Sequence, residues 1–209
     1  MVNLLLILFI VTLFVCATAI RLKTFIKAIA SQGLLLFGIF ILRLNEINTL
    51  NLILLLLETL IFKAIVIPYF LHYLIKKNKI NRESEPYMSN FTSLFIITFI
   101  VMITFYLANT LKGGVFGNIY FVISMITIFT GLYLMISRRK IITHVMSFII
   151  LENGVVILSL TVGIEMPMLV NLGILLDIFV TVLVLGIFAN KLGDMFKEAE
   201  VGHLTRLRD

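Results

Sequence analysis

The chain has 209 residues, 61% of them hydrophobic, with only 13% Asp, Glu, Lys or Arg and no Trp. A soluble domain carries about twice that share of charge, so a water-soluble globule is excluded. The net charge of +6 does not mark a nucleic-acid binder either, because the basic residues cluster between apolar spans, where topology signals lie.

Apolar spans are predicted over 2–20, 28–43, 49–74, 91–111, 115–136, 141–163 and 168–190. Each approaches or exceeds the ~20 residues that cross ~30 Å of hydrocarbon, the second being the shortest. Short alternating runs are absent, which favours helices over a membrane barrel. The predicted fold is therefore all-α, a polytopic membrane protein of about seven transmembrane helices. In the first span, Ala17-Thr18-Ala19 resembles a signal cleavage site. No positive charge precedes that span, however, while Arg21, Lys23 and Lys27 follow it, so it reads as a first transmembrane helix. Cys16, the single cysteine, rules out an internal disulfide or a zinc site and is expected to face lipid. Pro68 and Pro167 are expected near helix ends or at a kink. Gly113-Gly114 reads as a turn.

The long charged loop from Lys76 to Asn90 divides a three-helix segment, residues 1–90, from a four-helix segment, residues 91–209. The tail from Lys191 to Asp209 is mixed in charge, too short to fold alone, and expected either to dock on a cytoplasmic partner or to fray. Of 17 Lys and Arg residues, only Arg43 and Lys112 fall on the loops after the even-numbered spans, and Lys63 lies inside a span. The others, Arg138, Arg139 and Lys140 among them, follow the odd-numbered spans. By the positive-inside rule the N-terminus is then outside and the C-terminus cytoplasmic.

Four ionisable residues lie within apolar spans: Glu58, Lys63, Glu152 and Asp177. A charge at mid-helix costs ~2.5–3.5 kcal/mol on insertion scales, against ~0.3–0.6 returned by a Leu or Ile. Glu152 stands 13 residues before Glu165 and Asp177 12 after it, so an antiparallel hairpin places both carboxyls ~20 Å from the turn, at one depth. Desolvation raises a carboxyl's pKa toward neutrality, which suits a proton relay; a neutral, hydrogen-bonded packing role is the plainer alternative. Glu58 and Lys63 are five apart, about 140° around an α-helix, and do not face each other. Lys63 is expected to meet a carboxylate on another helix or subunit, or else to snorkel. His144 is expected at the cytoplasmic edge, ~12 Å along the helix from Glu152, as a proton entry point or a solvated ring. No Cys/His cluster, phosphate-binding glycine loop or nucleophile–base set is present, so no catalytic site and no cofactor are expected in this chain.

The run Ser147-Phe-Ile-Ile-Leu-Glu152-Asn153-Gly154, followed by Pro167-Met-Leu-Val-Asn171-Leu-Gly173-Ile-Leu-Leu-Asp177, resembles the hydrogenase-4 component E family. Those proteins are membrane subunits of energy-converting nickel–iron hydrogenases and formate hydrogenlyase complexes. Their last three helices, 115–190 here, resemble the K subunit of respiratory complex I, whose intramembrane glutamates match Glu152 and Asp177. Phe62-Lys63-Ala-Ile-Val-Ile-Pro68, Ala30-Ser31-Gln32-Gly33 and His203-Leu204-Thr205 are further points of likeness. Asn171, where the family often has Glu, and Glu58 depart from its pattern.

The resemblance implies a non-catalytic subunit of a proton- or sodium-translocating membrane arm in a prokaryotic plasma membrane. Antiporter-like subunits and soluble hydrogenase subunits would be its partners, and these would carry the nickel–iron centre and iron–sulfur clusters. A subunit of a cation/proton antiporter or other complex I-like oxidoreductase, and a passive membrane scaffold, are the alternatives.

Overall fold

The computed structural model of the protein describes residues 1–42, 58–77, 87–110 and 118–162. These residues form helices and no strand. They are α1 (Val2–Thr18), α2 (Leu22–Leu42), a π-helical segment (Glu58–Val66) running into α3 (Ile67–Lys77), α4 (Asn90–Thr110), α5 (Ile119–Ser137) and α6 (Ile141–Val162). Helices α2, α4, α5 and α6 are long and apolar enough to cross a membrane, while α1 is shorter, at 17 residues. The predicted span at 168–190 lies outside the described residues, as do Gly113-Gly114, Pro167 and the tail.

The distribution of side chains is that of a helical membrane protein. On α4, Phe91, Phe95, Phe99, Met102 and Tyr106 are all exposed, spaced by threes and fours so that they form one stripe. In water such a stripe is an exposed apolar patch; against hydrocarbon it is the ordinary outer surface. The interior, though mostly apolar, also buries Gln32, Lys63, Arg138, Thr143, Ser147, Glu152 and Asn153. Many short hydroxyls within the helices bond back to their own backbone, as in Thr127 to the Ile123 carbonyl (2.7 Å) and Ser147 to that of Thr143 (2.7 Å). This removes the need for outside partners.

The most extensive contact joins α5 and α6, an antiparallel hairpin turning over three residues. Glycines allow it. A Cβ on Gly131 would stand 2.8 Å from the Leu151 nitrogen, and one on Gly154 2.8 Å from Ile128 Cγ1. Small residues let membrane helices approach to backbone contact, where dispersion replaces the missing hydrophobic drive.

Two expectations are corrected here. Helix α2 starts at Leu22 rather than 28, so Lys23 and Lys27 stand on its exposed face, four apart, instead of in a loop. Cys16 is fully buried rather than facing lipid, because α1 turns Leu6, Phe9, Leu13, Cys16 and Ala17 inward as one stripe. Arg138 lies in the turn after the fifth span, as expected, and is buried there, 1% exposed.

Arg138 closes the C-terminal end of α1. Its Nη1 donates to the Ala19 carbonyl (3.1 Å), and its Nη2 to those of Cys16 (3.0 Å) and Ala17 (2.8 Å). The last carbonyls of a helix have no intrahelical donor and carry the negative end of its dipole. A forked cation satisfies both needs. The Phe25 ring lies beneath the guanidinium, 5.8 Å from Cζ to centroid, within cation–π range. Burial pulls the Arg138 pKa below its ordinary value, but arginine stays protonated in proteins.

Candidate functional site

The site forms where α2, the π segment and α6 meet. Along α6, Leu151 and Gly154 touch α5. At 100° per residue, Glu152 and Asn153 then lie on the side turned away from α5. Glu152 is 2% exposed, and its Oε1 stands 3.6 Å from the Nζ of Lys63, also 2% exposed. Opposite charges at that distance in a dry interior attract strongly, which offsets much of the desolvation of each.

Lys63 reaches Glu152 from the π segment. There the hydrogen bonds run i→i+5, a winding that is rare and recurs at functional sites. The sequence supplies a reason. Pro68 has no N–H to donate to the carbonyls four or five residues upstream, Ala64 and Lys63, so regular winding is interrupted ahead of it. The 140° separation expected between positions 58 and 63 assumed α winding and does not carry over to this segment. The segment also packs against α2 at backbone distance. A Cβ on Gly33 would stand 2.8 Å from the Ala64 nitrogen and 2.9 Å from the Lys63 carbonyl carbon.

A chain of amides crosses the same junction. Asn153 Nδ2 donates to Gln32 Oε1 at 3.1 Å, Gln32 Nε2 donates to Thr12 Oγ1 at 3.0 Å, and Thr12 Oγ1 donates to the Phe9 carbonyl at 2.6 Å. Gln32 and Asn153 are fully buried. Three helices, α6, α2 and α1, are thereby tied by polar groups with no apolar substitute. The other end of the Asn153 amide, Oδ1, has no hydrogen-bond partner among the described residues.

The residues singled out from sequence are thus distributed unevenly. Lys63 and Glu152 come together. Asp177 lies outside the described residues, and with it the expected match in depth to Glu152. Glu58 begins the π segment. His144 is half-buried in the first turn of α6, and its Nδ1 lies 2.7 Å from the Lys140 carbonyl, so its hydrogen bond stays within its own turn. Sequence reasoning weighed only ionisable groups and so passed over Gln32, Asn153 and Thr12 as participants. The signal available was an amide in the middle of an apolar span, since buried amides require partners. Among the described residues no cluster of three or more His, Cys, Asp or Glu side chains is placed to hold a metal ion.

Comparison with known proteins narrows this little. No family model matches the chain. The chain is similar to a Mycobacterium tuberculosis protein named Uncharacterized protein Rv0085, 26% identical over 192 residues, covering 90% of this chain and 87% of that one. No solved structure matches.

Proposed function

We propose that the chain is a non-catalytic membrane subunit of a complex I-like, energy-converting hydrogenase, and that Glu152 is a proton-loading carboxyl whose charge is set by Lys63. The observation that carries this reading is the buried Lys63–Glu152 ion pair inside a bundle of membrane-length helices. Intramembrane ionisable residues are costly and mark ion pathways by default. A carboxylate held against an ammonium, with amides close by, is a site whose proton affinity responds to small displacements.

In this reading electron transfer takes place in partner subunits, which hold the nickel–iron centre and iron–sulfur clusters. Displacement of the pair during turnover raises and lowers the proton affinity of Glu152, and Asp177 is the next carboxyl. The seven-span topology with a cytoplasmic C-terminus and the prokaryotic plasma membrane belong to the same proposal, and all of these rest on the family resemblance.

The test is made on the intact complex, purified through a tag on this chain. A nickel–iron large subunit is expected to copurify. Glu152→Gln and Asp177→Asn, which keep shape and remove titration, are each expected to abolish coupled proton movement while hydrogen oxidation or evolution continues. Coupling that survives both substitutions would sink the relay. Copurification with antiporter subunits alone would move the chain to a cation/proton antiporter.

A passive scaffold is the second reading, favoured by the amide chain and by Arg138, both of which tie helices without titrating. It predicts that the same substitutions impair assembly and leave coupling intact.

A further inference from the structure

The stretch Ala30-Ser31-Gln32-Gly33 is unusual for mid-span sequence, and the ion pair by itself does not account for it. Its last two residues touch the backbone of Lys63 and the side chain next to Glu152. Gly33 meets the backbone of Lys63 and Ala64 so closely that a methyl group there would overlap them. Gln32 holds the amide of Asn153, the residue that follows Glu152.

These contacts close a ring. It runs from Gln32 to Gly33 along α2, from Gly33 to Lys63 by backbone contact, and from Lys63 to Glu152 by the ion pair. It continues to Asn153 along α6 and returns to Gln32 by hydrogen bond. Gln32 is itself braced from behind by Thr12 of α1. Among the described residues the Asn153 side chain has no other bond than that to Gln32.

We infer that Gln32 and Gly33 are positioning residues, a clamp on one turn of α2 that sets the separation of Lys63 and Glu152 from both sides. Gly33 fixes how near the π segment comes to α2 and so where the Lys63 backbone sits. Gln32 fixes the face that α6 presents at Glu152. The physical basis is that a Coulomb interaction in a medium of low dielectric varies steeply with distance, whereas packed backbone contacts yield by only a few tenths of an ångström before they repel. A movement of α2 relative to α6 is therefore converted into a change in the strength of the pair. This deepens the proposed function and rests on it for its consequence: α2 becomes the element through which the rest of a complex acts on the proton-loading carboxyl.

The clamp is tested by a double-mutant cycle between Lys63→Met and Glu152→Gln in the full-length chain in lipid nanodiscs. The cycle is run in the wild-type, Gly33→Ala, Gln32→Leu and Gly38→Ala backgrounds. A cycle reports the coupling between two residues and cancels effects that touch each alone. Gly38 is the control, because among the described residues a Cβ there meets only the end of the Leu5 side chain, 3.2 Å away. The coupling between positions 63 and 152 is expected to fall to about half or less in Gly33→Ala, to fall by a smaller factor in Gln32→Leu, and to stay unchanged in Gly38→Ala. Equal coupling in all four backgrounds overturns the clamp. Should Gly33→Ala fail to fold, Gln32→Leu decides alone, since an unchanged coupling there breaks the ring. Neither result depends on proton movement, so loss of the proposed function in the Glu152→Gln complex is a separate outcome.

Discussion

Lys63 and Arg138 are both cations withdrawn from solvent, and the acceptors the structure brings to them differ in kind. Lys63, inside the bundle, faces the carboxylate of Glu152. Arg138, at a helix junction, donates to the carbonyls of Cys16, Ala17 and Ala19. The difference is one of chemistry. A carboxylate can take a proton and lose its charge, whereas backbone carbonyls cannot, and a guanidinium stays protonated. The first arrangement suits a proton-handling site and the second a staple.

The sharpest way to break the comparison is to remove one partner from each site and follow unfolding in detergent. Glu152→Ala leaves a buried ammonium facing no carboxylate at that position and is expected to destabilise by about 3–5 kcal/mol. Combining Lys63→Met with Glu152→Gln should recover most of that loss, because a neutral pair of similar volume has no desolvated charge. Failure of the double substitution to recover stability would mean the two residues do not act as a unit.

Arg138→Ala is expected to cost about 3 kcal/mol, through loss of the donors that the guanidinium brings to the end of α1. Arg138→Lys should recover only part, since an ammonium lacks the planar fork. Full recovery would show that charge alone, and not geometry, closes the helix.

Gly131→Ala tests the hairpin on which Glu152 is presented. The new methyl group stands 2.8 Å from the Leu151 nitrogen, and a shift of α6 with a loss of about 1–3 kcal/mol is expected. The smallest effect is expected at a hydrogen bond between α4 and α5. Ser93→Ala removes the bond from the Tyr133 hydroxyl to Ser93 Oγ (2.9 Å), worth about 0.6 kcal/mol between membrane helices. A loss as large as that of Arg138→Ala would show that α4 is anchored by this bond and not by packing.

The helices and their apolar character were legible because a length of ~20 residues and an absence of charge are properties of the local sequence. The first, fourth, fifth and sixth predicted spans agree with α1, α4, α5 and α6 to within a few residues. Helix α2 begins six residues ahead of the predicted span, because exposed lysines such as Lys23 and Lys27 are compatible with a helix that continues into the interface. The π winding was not foreseen. Pro68 signalled a disturbance, but whether a helix kinks, stops or rewinds depends on what packs beside it, here Gly33 of α2.

Sequence by itself determined that the chain is apolar, helical and built to span membranes, and that Lys63 and Glu152 are too costly to be incidental. The reason is that insertion energies are summed residue by residue along one segment. Only the tertiary structure decided that these two residues meet, that Gly33 touches the backbone of Lys63 and Gln32 the neighbour of Glu152, and that Arg138 turns inward to close α1. These are relations between residues dozens of positions apart, set by which helix faces come together, and no local sum contains them.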